Sequence, residues 1–282
     1  MAILGENRYG KARVRVMRVD RDGEQHRLSE WNVDVWLKGS FEDCFESGDN
    51  SRILPTDTMK NTVYSLARSS HAETVEQFAV ELATHFVSTQ EQVAEAGTSI
   101  RSMGWHYIQA EGETFGNAFV QSSGGYETVT AVAFRGATPT ITSGIADLPI
   151  LKTAKSGFSG YVRDHLTTLK ETQDRLFGTL ATIDWTYALP VADFRQTRVR
   201  ITEAILGAFA RHDSLSVQHT LFAMGQAALE AEPAIGEIHL KMPNKHCNLV
   251  DLSAFGQDNP NHIFVPTDEP HGSIEACIRR AE

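Results

Sequence analysis

Cysteine is scarce in this chain. The 282 residues hold three, Cys44, Cys247 and Cys277, with no C-x-x-C pair among them, so a disulfide framework is excluded and a reducing compartment is expected. Positive charge is also in deficit. Lys and Arg number 26 against 36 Asp and Glu, and the net charge of −10 repels nucleic-acid backbones and anionic lipid. No nucleic-acid partner and no membrane are therefore expected, and no apolar run approaches the roughly 20 residues that span a bilayer. The opening Met1-Ala2-Ile3-Leu4-Gly5-Glu6 has neither region of a signal peptide, and the closing Arg279-Arg280-Ala281-Glu282 is not a peroxisomal address. A cytoplasmic location, in a bacterium, is the expectation. G-x-G-x-x-G, G-x-x-x-x-G-K-[ST] and G-x-S-x-G are all missing, which argues against dinucleotide binding, P-loop hydrolysis and α/β-hydrolase chemistry. The eleven histidines form no H-E-x-x-H and no tight Cys/His cluster, so no metal site is expected, and His262 and His271 read as solvated loop residues.

Apolar residues are plentiful. At 41% hydrophobic and 22% charged, the chain can bury one or two ordinary cores, and at roughly 150 residues per domain its length favours two. Val14, Val16 and Val19, then Val33, Val35 and Leu37, flank Asp22-Gly23 and predict a β-hairpin. Pro55-Thr56-Asp57-Thr58 offers hydroxyl and carboxylate caps to a helix carrying Met59, Val63 and Leu66. Val75, Phe78, Ala79, Leu82 and Phe86 mark a second helix. Strand-like sequence follows from Ile100 to Arg135, with Ser123-Gly124-Gly125 turning Phe115–Gln121 into Tyr126–Phe134. The order then recurs more loosely: strands near 140–152 and 179–188, helices marked by Ile201, Ile205 and Phe209 and by Val217, Leu221 and Met224, and strands near 235–241 and 247–252. This pattern predicts an α+β protein of two tandem repeats, 1–136 and 137–282, each too small in sheet area to bury both faces alone. Phe158 to Phe177 fits neither helix nor strand template.

Three short stretches carry polar chemistry. Lys11 follows Tyr9-Gly10 at the entrance of the first strand, with Gly10 expected to let the backbone turn. Thr56 and Asp57 stand at a helix start, where free N–H groups and the macrodipole favour an anion. Asp213-Ser214-Leu215-Ser216-Val217-Gln218 is a second capped start, with an amide side chain one residue into the turn.

Taken together, these residues resemble the urate oxidase (uricase) family over nearly the whole chain. The resemblance rests on Tyr9-Gly10-Lys11, Thr56-Asp57 with Lys60-Asn61-Thr62-Val63-Tyr64, Phe158 followed by Arg163-Asp164, Thr167 to Thr172 with Asp174-Arg175, Ser216-Val217-Gln218, and Pro243-Asn244-Lys245-His246. It implies a tunnelling fold (T-fold): antiparallel sheets with helices on the outer face, β-barrels completed by neighbouring subunits, and a homotetramer with active sites at subunit interfaces. It further implies oxidation of urate by O2 and water to 5-hydroxyisourate and hydrogen peroxide without a cofactor.

The resemblance assigns Lys11, Thr56 and His246 to a proton relay, in which the Thr56 hydroxyl touches substrate or water, Lys11 sets its protonation and His246 tunes the lysine. Urate would be held by the Arg175 fork, the Gln218 amide, the backbone N–H groups of Val217 and Asp57, and Leu169, with Phe158 stacked on the ring and Asn244 holding oxygen and then water above it. A planar anion with acceptors and donors around its rim suits a rigid guanidinium better than a lysine. Two places depart from the family pattern: Gln173, where a bulky aromatic is expected, and the pair Cys247-Asn248 in place of larger apolar residues. Two rival readings remain open, a pterin-hydrolysing relative of the same fold and a purine-binding protein without turnover. Peroxide formation from urate under air separates them.

Overall fold

A computed structural model describes residues 2–281. The chain divides into two compact units, Met1–Gly144 and Ile145–Glu282. The mixed α+β class and antiparallel sheets are as expected.

In the first unit, β1 (Tyr9–Asp20) and β2 (Arg27–Gly39) form the predicted hairpin. A short α1 (Glu42–Glu46) precedes α2 (Thr56–Ser69) and α3 (Val75–Thr89). Then come β3 (Val93–Met103), β4 (Trp105–Ala110), β5 (Glu113–Gln121) and β6 (Tyr126–Phe134). The sheet runs β1-β2-β3-β6, antiparallel throughout. Alternation places Trp31, Val33, Val35 and Leu37 of β2 on one face, where Met59 and Val63 of α2 and Phe78, Leu82 and Phe86 of α3 bury them. Trp31 stacks on Phe78 with centroids 4.8 Å apart. A capping box fixes the start of α3: Gln77 N–H donates to Thr74 Oγ1, and Thr74 N–H to Gln77 Oε1.

One connection differs from its sequence reading. Ser123-Gly124-Gly125 does lead from β5 into β6, but these strands lie in different sheets. Among the described residues β5 pairs only with β4, through a turn at Glu111 and Gly112, both at positive φ.

β7 (Ala137–Lys152) carries the chain from the first unit into the second. There, β8 (Phe177–Tyr187), α4 (Phe194–Arg211), α5 (Val217–Ala231), β9 (Ile235–Lys241), β10 (Asn244–Leu249), β11 (Phe264–Gly272) and β12 (Glu275–Arg279) follow. The strand order is β12-β9-β8-β10-β11. Phe177, Ala181, Ile183 and Trp185 alternate along β8 onto Ile201, Ile205 and Phe209 of α4 and Leu221 and Met224 of α5. Gly225 lets β12 approach α5, because a Cβ there would lie 2.8 Å from Ile278 Cδ1.

β10 begins three residues earlier than the pattern suggested, so Asn244 and His246 are strand residues, with a register shift against β11 between them. His271 lies within β11 rather than a loop. No helix among the described residues is long and apolar enough to cross a membrane.

Candidate active site

The first unit holds three of the expected site residues, Lys11, Thr56 and Asp57. Gly10 is not at a turn but inside β1, opposite Trp36, and a Cβ there would fall 1.9 Å from the Val35 carbonyl oxygen. Close strand approach, rather than bending, is what requires glycine. Just past Lys11 the β1–β2 register shifts, with Arg13 at φ 60° and its N–H donating to Asp34 Oδ1 at 2.5 Å. That bulge re-aims the strand at the lysine. Tyr9 accepts a hydrogen bond on its hydroxyl from Leu54 N–H at 2.9 Å, tying the approach to α2 against β1.

Thr56 and Asp57 do not cap α2. Pro55, with extended backbone, takes the N-cap position, and its carbonyl accepts the first helical bond from Met59 N–H at 3.1 Å. A proline side chain has no acceptor, so no side chain caps this helix. Among the described residues the N–H groups of Thr56, Asp57 and Thr58 have no partner, and Thr56 is exposed. The Asp57 carboxylate turns back to Lys60 and to Asn61 Nδ2, the latter at 3.4 Å. Lys60 first, with a further contribution from the Lys11 charge, holds it below the usual carboxylate range. The Lys11 charge is thus felt at the start of α2, and what Asp57 leaves open is its backbone N–H.

The other expected site residues lie in the second unit. Residues 155–158 run between two other segments. On one side Ser214 N–H donates to Lys155 O at 2.9 Å and Gly157 N–H to Ser214 O at 2.8 Å. On the other, Phe158 and Thr172 exchange backbone bonds of 2.7 and 3.1 Å, and Arg175 N–H donates to Ser156 O at 2.8 Å. These bonds gather Phe158, Arg175 and the start of α5. The Arg175 guanidinium carbon lies 5.4 Å from the Phe158 ring centroid, and its Nε is buried without a hydrogen-bond partner among the described residues. Burial lowers its pKa from the ordinary arginine value. A buried guanidinium N–H without an acceptor is uncommon and needs an explanation. At α5, Ser216 accepts from His219 N–H at 3.1 Å as the expected cap, leaving buried Val217 and exposed Gln218 in the first turn.

Phe158 to Phe177 forms a strap. Gly160, at φ 72°, folds the chain back so that Tyr161 stacks on Phe158, with centroids 4.9 Å apart and planes 14° off parallel. The Tyr161 hydroxyl donates to Leu169 O at 2.7 Å, and Arg163 donates to the same oxygen at 3.0 Å. Sequence reasoning missed Tyr161. Gly160 was the available signal, a turn residue that returns the next aromatic onto Phe158. Exposed Gln173 reaches Ser159 at 3.5 Å on the strap's surface.

Asn244 pairs with Thr179 and Gly272, and His246 pairs with Thr267 and is exposed. Beside His246 is a cavity of about 230 Å³ lined by Leu151, Thr179, Cys247 and Thr267, among others. The Thr179 hydroxyl is buried there without a partner. Among the described residues no hydrogen bond or ion pair joins Asn244 or His246 to Phe158, Arg175 or Gln218.

The family model described as Uricase matches residues 7–131 and 141–275. A uricase from Arthrobacter globiformis is 40% identical over 279 residues, covering 99% of this chain and 90% of that protein. One from Dictyostelium discoideum is 38% identical, covering 100% and 99%. The crystal structure of the Arthrobacter globiformis uricase superposes with a TM-score of 0.93 at 38% identity, covering 99% of this chain and 96% of that one. Urate oxidase from Bacillus sp. TB-90, at 22% identity, shares the fold with a TM-score of 0.84.

Proposed function

The chain belongs to the uricase family, and from that premise we propose how it carries out the oxidation of urate. The reaction is urate + O2 + H2O → 5-hydroxyisourate + H2O2. It needs no cofactor, because the deprotonated purine is electron-rich enough to reduce O2 itself. Family membership sets aside the pterin-hydrolysing alternative.

The observation that carries the site is the buried, unpartnered Nε of Arg175 beside the Phe158 ring and the start of α5. An Arg fork clamps one edge of the urate plane, and Gln218 and the N–H of Val217 take the adjoining edge. Phe158 stacks on one ring face, with Leu169 beside it. The N–H of Asp57 completes the rim. Thr56, Lys11 and His246 pass the proton taken from urate, and Asn244 holds O2 and then water over the ring. Since the protein brings no redox centre, acceleration comes from positioning and from fixed donors around the developing charge.

Lys11, Thr56 and Asp57 come from the first repeat, 1–136, and the clamp from the second, 137–282. They meet across an interface between chains of a homotetramer whose barrels neighbouring subunits complete. The three free cysteines support a reducing, cytoplasmic setting.

Urate under air should yield peroxide in equimolar amount, with no loss of rate on treatment with a metal chelator. Urate binding without peroxide would make the chain a purine binder. Full activity in dissociated single chains would contradict the shared site.

A further inference from the structure

Lys152, the last residue of β7, is 9% exposed. Its Nζ donates to the carbonyls of Phe209 at 3.2 Å and His212 at 2.5 Å, in the last turn and at the C-cap of α4. It also lies 5.8 Å from the Phe209 ring centroid. Among the described residues no carboxylate forms an ion pair with it. Most helices satisfy their final carbonyls with water or a glycine turn. A buried ammonium hydrogen-bonded to carbonyls is a costly alternative, although its charge is matched to the negative end of the helix dipole and is favoured by the Asp213 charge against that of Lys155.

What this arrangement secures lies a few residues further along both chain segments. Beyond Lys152, residues 155–157 bond to Ser214, Ser156 O receives Arg175 N–H, and Phe158 follows. Beyond His212, the turn through Ser214 leads to Ser216, Val217 and Gln218. The ammonium therefore ties together the points from which the stacking ring and the amide edge of the clamp are hung. We propose that Lys152 is a positioning residue for urate, locking the α4–α5 turn to the chain leaving β7 and so setting the spacing of Phe158, Arg175 and Gln218. This rests on the urate site argued above.

The test compares Lys152→Met, which keeps the length and removes the donors, with Lys152→Gln, which keeps an N–H donor without charge. In Lys152→Met, KM for urate and Kd for urate in the absence of O2 should both rise about tenfold, a loss of about 1.4 kcal/mol. kcat should change by less than about threefold. Amide exchange should quicken at 155–158 and 212–218 and not across the β8–β9 core. Lys152→Gln should recover most of the affinity.

Unchanged KM and Kd in a folded Lys152→Met protein would overturn the proposal, as would exchange that quickens uniformly with equal losses of kcat and affinity. If Lys152→Met does not fold, Lys152→Gln is read alone: an affinity loss of about threefold with local exchange supports positioning, and wild-type behaviour overturns it. Gln218→Ala separates the two layers. If it leaves urate binding intact, the urate site itself is misplaced. If it weakens binding while both Lys152 variants do not, only the role of Lys152 fails.

Discussion

Replacing Arg175 with lysine keeps a positive charge and removes the fork. In the free protein the Arg175 side chain rests against Phe158, its Nε is buried without an acceptor, and its backbone N–H holds Ser156 O at 2.8 Å. The backbone bond survives the substitution. The side chain loses the paired, in-plane donors that meet a flat anion, and a hydrogen bond to a charged group is worth about 1.5–3 kcal/mol. At about 1.4 kcal/mol per tenfold, losing one such bond raises KM roughly 10- to 100-fold. Because the lost Nε was unpaired before substrate arrived, its removal should leave thermal stability unchanged or slightly higher, so weak binding will not be traceable to unfolding. Initial rates of peroxide release over a range of urate, paired with urate titration in the absence of O2, separate the terms. KM and Kd should rise together while kcat falls only a few-fold. A collapse of kcat at unchanged KM would place Arg175 in the chemistry rather than in the clamp and refute the reasoning.

Lys11→Met and Thr56→Val should each lower kcat by a factor on the order of a hundred, the usual scale of lost acid–base assistance, while anaerobic urate affinity stays within about threefold. Equal losses in both would count against a relay. Gly160→Ala adds a Cβ that meets nothing within 4 Å, so its penalty is purely the left-handed backbone at φ 72°, roughly 1–2 kcal/mol. A lower melting temperature with a raised KM is expected, with Gly160→Asn milder, and no change in melting would mean the strap is free to relax. His212 is held below the ordinary histidine range by burial, then by His219 and Lys152, with Asp213 opposing. Below about pH 6.5 the unfolded chain therefore binds a proton that the folded chain does not, and stability falls as pH falls toward the folded value. His212→Gln should flatten that acid-side decline by at most about 1.4 kcal/mol per pH unit, read from melting temperature against pH. An unchanged slope would show that the residue does not contribute.

The fold was legible where one face of an element is buried and the other wet. Met59 and Val63, Phe78 and Leu82, and Ile201 and Ile205 recur at helical spacing because each helix covers a sheet on one side only. β11 was illegible for the opposite reason. It contains Pro266 and Pro270, and most of its residues are exposed, as on an edge strand where side-chain burial does not constrain the choice of residue. The separation of β5 from β6 was equally hidden, because a glycine turn records that the chain reverses and not which strand it then pairs with.

The site is harder to read than the fold because its residues are distinguished by what their neighbours leave unused. The starts of α2 and α5 look alike in sequence, each with hydroxyl residues ahead of an apolar stripe, yet they are opposite in chemistry. At α5 the Ser216 hydroxyl is spent on His219 N–H, so that end can offer a ligand only the backbone of Val217 and the Gln218 amide. At α2 the capping position belongs to Pro55, which has nothing to donate or accept through its side chain, and among the described residues the Thr56 hydroxyl stays free at the head of three unpartnered N–H groups. Capping rules assigned Thr56 the role that Ser216 fills, and applied evenly they would have removed it from the chemistry. A proline one residue earlier leaves Thr56 available for the proposed proton transfer, and this predicts that Pro55→Ser, by restoring a side-chain cap, should stabilise α2 by about 1 kcal/mol while lowering turnover through competition for the N–H groups proposed to meet urate. A Pro55→Ser protein that melts higher and turns over urate at the wild-type rate would show that those donors take no part in the reaction.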